Sequence, residues 1–215
     1  MSRVLLLFSK TDKVRFIGHL DLLRVFQRTV NRASLPVAYS AGFNPHQKLT
    51  FAVPLALGME GRNEAAELEL AGAAELTAAD IMDRLNAVLP KGLTIHNARF
   101  MEENEKTAAA LVTAARYEAL AQGELTERVR ELTARESVIV SKKTKGGVKD
   151  IDIRPDIISL EADGDTLRAV LSAGGQRGLK PDLLAGALGV SIYQVTRLNI
   201  YKTVNGAFQP LFNKL

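Results

Sequence analysis

Cysteine is absent from this 215-residue chain. That absence removes disulfides, thiolate nucleophiles, thiolate zinc sites and cysteine-held iron–sulfur clusters together. Tryptophan is also absent and aromatics make up only 6% of residues, so aliphatic side chains must build the core and an aromatic in a polar loop stands out. The N-terminal apolar run, 4–8, is five residues long, too short for a signal-peptide core or a membrane span. A soluble, cytoplasmic protein with no membrane partner is expected, and a chain without disulfides suits a reducing compartment. No His-x-x-x-His pair or carboxylate cluster has ligand spacing, so neither a metal nor a cofactor is expected.

What is present is a globular composition. Apolar residues reach 47%, with 16 Gly and 7 Pro, and the length allows one large domain or two small ones. The net charge of +4 is unevenly spread. Residues 1–62 hold nine Lys/Arg against three Asp/Glu, 63–135 eight against thirteen, and 136–215 eleven against eight. Two basic ends around an acidic middle suggest a surface with one side facing a polyanion.

Periodicity predicts a strand at 4–8 and a helix at 20–32, where Leu22, Leu23, Phe26 and Val30 recur at helical spacing. Pro36 follows the helix, and strands are expected at 37–39, 49–54 and 65–70. Thr77 caps a helix over 78–89, and a strand returns at 93–100. The charged, aperiodic stretch 101–107 marks a boundary, giving domains 1–104 and 105–215. The second half repeats the cycle. It has strands near 116–121, 138–141, 148–153, 157–161, 166–172 and 193–203, with helices at 126–135 and 180–188. That order fits an α+β fold of two tandem ferredoxin-like α+β sandwiches with antiparallel sheets.

The chemistry concentrates in the first domain. Tyr39-Ser-Ala-Gly-Phe-Asn-Pro-His-Gln-Lys48 joins aromatic, imidazole, amide and ammonium groups on a turn shaped by Gly42, Asn44 and Pro45. Such a loop can hold out His46, Asn44 and Lys48 to a phosphate or base, with Tyr39 or Phe43 as a stacking face. Arg24, Arg28 and Arg32 form a stripe on the helix, beside Gln27 and Asn31 and downstream of Arg15. Each guanidinium is a fork of donors suited to phosphate oxygens. In the second half Lys142, Lys143, Lys145 and Lys149 lie on a Gly-Gly hairpin, a cationic finger for a nucleic-acid backbone. Asp150 and Asp152 are expected to pair with those lysines. Arg177 and Lys180 lie in a Gly-rich loop that enters a helix, a natural anion site. His19 and His46 are also candidates for an acid/base pair in metal-independent RNA cleavage.

Arg15-Phe-Ile-Gly-His-Leu-Asp-Leu-Leu-Arg-Val-Phe-Gln-Arg28, Leu35-Pro-Val-Ala-Tyr-Ser-Ala-Gly-Phe-Asn-Pro-His-Gln-Lys48 and Phe51-Ala-Val-Pro-Leu-Ala-Leu-Gly58 resemble the radical-SAM-associated domain of unknown function. The likeness is strong through residue 61 and looser at 150–155 and 180–181; at Gly18 the family more often has Ser. Members are free-standing bacterial proteins or are fused behind a B12-binding radical SAM enzyme. The resemblance implies a radical SAM enzyme as partner. This chain, without cysteine to hold a cluster, is not that enzyme. Three functions therefore stand. The first is an RNA-binding accessory protein that positions a structured RNA, tRNA or rRNA, for the modifying partner. The others are a scaffold for that partner without RNA contact, and an endoribonuclease using His19 and His46.

Overall fold

The computed structural model describes residues 2–72, 75–144, 146–175 and 177–212. Its first strand, β1 (Ser2–Lys10), is buried on both faces, as a near-continuous apolar run requires when neighbours cover it on each side. After a 3-10 turn, Asp12–Phe16, comes α1 (His19–Arg32). Leu22, Phe26, Thr29 and Val30 of α1 are buried, while Arg24, Arg28 and Arg32 face outward. The strands β2 (Leu49–Phe51) and β3 (Glu60–Leu70) follow, then α2 (Ala78–Asn86) and β4 (Leu93–Phe100). At the start of α2, Thr77 Oγ1 accepts the Asp80 amide at 3.1 Å and Asp80 Oδ2 accepts the Thr77 amide at 2.9 Å. This reciprocal capping box satisfies two otherwise orphaned donors.

The second half opens with a short α3 (Ala108–Leu111), followed by β5 (Val112–Gln122) and α4 (Leu125–Ala134). A separate two-stranded hairpin is made of β6 (Ile139–Thr144) and β7 (Gly147–Asp152). Then come β8 (Ile157–Asp163), β9 (Thr166–Ser172), α5 (Pro181–Leu188), β10 (Ser191–Val204) and β11 (Ala207–Pro210). The fold is α+β, with five α-helices among the described residues and a mostly antiparallel sheet.

Each half places its last long strand beside its first, in the order β4-β1-β3 and β10-β5-β9-β8. The two sets do not stand apart. They join into one nine-stranded sheet through the parallel pairing of β3 with β10, Glu60 opposite Thr196 and Gly61 opposite Arg197. Where two separate sheets were expected, one sheet runs through both halves. The cause is legible in the residues. Arg197, 2% exposed, donates through Nε to Glu64 Oε1 at 2.8 Å and through Nη2 to Glu64 Oε2. It also donates to the Val53 carbonyl at 2.9 Å, while Asn63 Nδ2 donates to the Leu198 carbonyl at 2.8 Å. A Cβ at Gly61 would stand 2.5 Å from Glu64 Cγ, so glycine is what lets that carboxylate fold back onto the seam. Lys10, 1% exposed, lies close by and donates to the carbonyls of Arg15 (3.1 Å) and Ile17 (2.8 Å).

Two clusters make the core. One packs Val4, Leu6, Phe8, Leu68 and Ile95 against Phe26, Val30, Ile81 and Leu85. The other joins β5, β9 and β10 to α4 and α5, and also takes in Leu5, Leu55, Met59 and Ala65 from the first half. The stretch read as a boundary, 101–107, is fastened to the first half. Glu105 pairs with Arg99 at 2.5 Å, its carbonyl accepts from Arg3 at 2.6 Å, and the Ala108 amide donates to Glu67 at 2.9 Å. Residues 37–39 make isolated bridges, Val37 to Leu70 and Tyr39 to Gln47, rather than a full strand. Among the described residues no helix is long and apolar enough to cross a membrane.

Replacing one partner of a buried ion pair leaves the other charge unmatched in a medium that solvates it poorly. Glu64→Gln should therefore lower unfolding free energy by about 3–5 kcal/mol in denaturant titration. A change under 1 kcal/mol would mean that the seam does not depend on this pair.

Candidate functional site

The segment after α1 is a hairpin pinned to β3. Ala38 donates to the Glu69 carbonyl (2.8 Å), Glu69 to the Lys48 carbonyl (2.9 Å) and Lys48 to the Ala38 carbonyl (2.8 Å). Above these bonds the chain closes on itself: Ser40 N donates to the His46 carbonyl at 2.9 Å, and His46 N to Ser40 Oγ at 3.1 Å. The same oxygen also shares a hydrogen bond with His46 Nδ1, 2.8 Å away. Gly42 supplies the backbone at φ 119° that turns the loop, a conformation open to glycine.

Gln47 ties this loop to α1. The residue is 6% exposed, and its Nε2 donates to Asn31 Oδ1 at 2.6 Å and to the Gln27 carbonyl at 3.3 Å, with Tyr39 Oη at 3.4 Å. Its Oε1 is buried, with no hydrogen-bond partner among the described residues. The result is a groove of about 410 Å³ between helix and loop, lined by Arg24, Gln27, Arg28, Asn31, Tyr39, Pro45, His46 and Gln47. Arg24 pairs with Asp21 at 2.8 Å, both well exposed, and such a pair holds its charge loosely. Among the described residues Arg28 has no carboxylate partner. One wall thus offers two guanidinium groups and two amides, and the other a phenol half exposed at 51%, an imidazole and a proline ring.

The structure brings together Arg24, Arg28, Tyr39 and His46 from the sequence expectations. The others lie elsewhere. His19 packs edge-on against Phe51, ring centroids 5.6 Å apart, and is not part of the groove lining. Lys48 pairs with Glu69 at 2.7 Å. Asn44 and Phe43 are at the exposed loop tip, Phe43 fully in solvent. Arg15 borders a different cavity, of about 620 Å³, with Asp12, Lys13, Phe16, Glu60 and Lys91.

On the second half's hairpin, Lys142 stands opposite Lys149 and Lys143 opposite Val148. Lys145 lies outside the described residues. Two directly opposed lysines repel across the ladder, which favours an anion on that face. Asp150 accepts from Ser141 Oγ at 2.6 Å, and Asp152 accepts the amides of Val138 (2.8 Å) and Arg154 (3.0 Å). These hydrogen bonds, Val138 first, hold the Asp152 carboxyl below its ordinary range. Arg177 pairs with Asp156 at 3.3 Å, and Lys180 is the exposed residue before α5. Among the described residues no group of three His, Asp or Glu is placed to hold a metal ion.

Sequence reasoning missed the role of Gln47 and the cavity beside Phe16. A buried amide in a polar loop has no periodic signal. Glu60 reaches the cavity from the start of β3 and Lys91 from the link between α2 and β4, both far along the chain.

A profile of the family described as "Uncharacterized protein conserved in bacteria (DUF2344)" matches residues 3–181. No curated protein matches the chain. A crystal structure described as a candidate glycine cleavage system transcriptional repressor aligns at 14% identity over 94% of this chain and 98% of its own, with a TM-score of 0.27. At that level the likeness bears on neither fold nor activity.

Removing the Gln47 side chain should free the loop from the helix without touching the hydrophobic core. In Gln47→Ala we expect a loss of about 1–3 kcal/mol and faster hydrogen exchange at the Ser40, His46 and Lys48 amides. Exchange in β3 beyond the hairpin should be unchanged. Uniform acceleration across the molecule would show that Gln47 serves global stability instead.

Proposed function

We propose that this chain, which belongs to the DUF2344 family of bacterial proteins, is an RNA-binding accessory protein that presents a structured RNA to a modifying partner. The observation that carries the reading is the groove, where Arg24, Arg28, Tyr39 and His46 converge. Arginines on a helix suit phosphate oxygens, which position a nucleic acid. An exposed phenol offers a face on which an unpaired base can stack, and the imidazole with the Gln27 and Asn31 amides offers donors and acceptors to a base edge. A single-stranded or looped RNA segment fits that set better than a duplex, whose bases are not splayed open.

Further support comes from the basic N-terminal segment and from the opposed Lys142 and Lys149. The identity of the partner as a radical SAM enzyme is the part of the proposal taken from the resemblance. So is the division into two ferredoxin-like units at residues 104/105, to which the strand orders β4-β1-β3 and β10-β5-β9-β8 lend support. A cleavage reading draws no comparable support, because the groove lining includes one histidine, His46, and His19 packs on Phe51.

The test is RNA binding by the full chain over a salt series, with a structured tRNA as probe. Wild-type affinity should fall linearly in log–log form. The Arg24→Ala/Arg28→Ala variant should flatten the slope by roughly 1–2, at about 0.7–0.9 per phosphate contact. His46→Ala should weaken binding with the slope unchanged, as expected where a group touches a base. Absence of any RNA affinity at low salt would overturn the proposal.

A further inference from the structure

Three large apolar side chains stand in solvent around one junction beside the first turn of α1. Phe16 is 62% exposed, Leu20 66% and Leu57 67%. Phe16 ends the 3-10 turn, Leu20 lies in the first turn of α1, and Leu57 precedes Gly58, whose amide donates to the Arg15 carbonyl at 2.9 Å. The junction is also held from beneath, where buried Lys10 donates to the carbonyls of Arg15 and Ile17. With both sides of that backbone fixed, Phe16 is presented by a rigid turn. Apolar groups held out in this way lose little freedom on binding and make good anchors.

The cations beside them outnumber the carboxylates, Lys13, Arg15 and Lys91 against Asp12 and Glu60. The cavity of about 620 Å³ beside Phe16 is lined by Asp12, Lys13, Arg15, Glu60 and Lys91. Glu60 is already engaged, by the Asp12 amide at 3.0 Å, Arg62 at 3.2 Å and Arg15 at 3.8 Å. Lys13 and Lys91 have no carboxylate partner among the described residues. Arg15 lies over the Phe16 ring, 4.8 Å from its centroid, so a cation and an aromatic face are presented together.

We propose that this surface docks an acidic segment of a partner protein. Its apolar side chains seat on Phe16, Leu20 and Leu57, and its carboxylates meet Lys13, Arg15 and Lys91. The leucines decide between a protein and an RNA. Aliphatic side chains give a base no ring to stack on and a phosphate no donor. Exposed apolar area of this kind is removed from water by another apolar surface. This site is distinct from the Arg24/Arg28 groove and takes a different class of partner.

The probe is a labelled, ~15-residue amphipathic peptide with Leu and Phe on one face and Glu on the other, the pattern of a helix that lies in a groove. Its Lys-for-Glu counterpart and an oligouridylate serve as the comparison arms. The acidic peptide should bind the full chain. Phe16→Ser/Leu57→Ser and Lys13→Glu/Lys91→Glu should each weaken it by about tenfold or more. All these positions are exposed, so melting temperatures should match wild type, while Arg24→Ala/Arg28→Ala should leave peptide affinity unchanged. Equal binding of the basic peptide, no binding of the acidic one, or oligouridylate binding that is lost in Lys13→Glu/Lys91→Glu would overturn the docking proposal. The groove's RNA reading is judged separately by the arginine variant.

Discussion

Glu64 and Arg197 come from sequence positions far apart, meet through two hydrogen bonds, and are both shut away from solvent. Taking two charges out of water is costly, and their attraction offsets that only when geometry and secondary hydrogen bonds are good. Here the secondary bonds exist: Arg197 also reaches the carbonyls of Val53 and Pro54. Burial opposes the charge on Arg197, and Glu64 overcomes it, holding the guanidinium above its ordinary pKa. The same burial pulls the Lys10 ammonium below its ordinary value, with Glu64 acting against that fall. One carboxylate thus serves two buried cations at the point where β3 meets β10, and the joining of the halves into one sheet rests on it.

From that point the constraint passes outward along the chain. Lys10 is fixed at the seam and in turn fixes the carbonyls of Arg15 and Ile17. Two residues beyond Ile17, α1 begins. The orientation of α1 therefore follows from the seam as well as from the packing of Phe26 on Phe8 and Phe51, with centroids 4.9 and 5.1 Å apart. The hairpin at 37–48 is set independently, by backbone bonds to β3, and Gln47 then closes the gap between hairpin and helix. The groove is rigid on both walls because each is anchored to a different part of the same sheet.

Much of this was legible in the sequence where a local pattern carried it. The apolar faces of α1 and α2 and the Thr77 cap follow from spacing alone, as does the concentration of polar groups at 39–48. The junction of the sheets was not legible, because it depends on a carboxylate and a guanidinium 133 residues apart and on a glycine whose missing Cβ makes room for one of them. His19 shows the limit in another way. It reads as a possible partner of His46, yet its ring packs against Phe51. Lys48 likewise reads as a free cation until β3 brings Glu69 alongside. Charge in a sequence marks supply; partners decided by sheet register determine what is left over for a ligand.

Part of what is left over lies along one stripe of α1. Leu20, Arg24, Gln27, Arg28 and Asn31 are spaced by three or four residues, so they share a face of the helix. Its first turn carries the exposed leucine of the apolar surface and the next turns carry the groove. At 1.5 Å rise per residue, Leu20 and Arg24 are only about 6 Å apart along the axis. A protein seated at Leu20 and a nucleic acid seated at Arg24 and Arg28 would therefore meet on a single rigid element. Neither needs the helix to move for the other to bind. The positioning role proposed above would use that geometry, since the distance from held RNA to docked partner would be set by a helix and not by a flexible link.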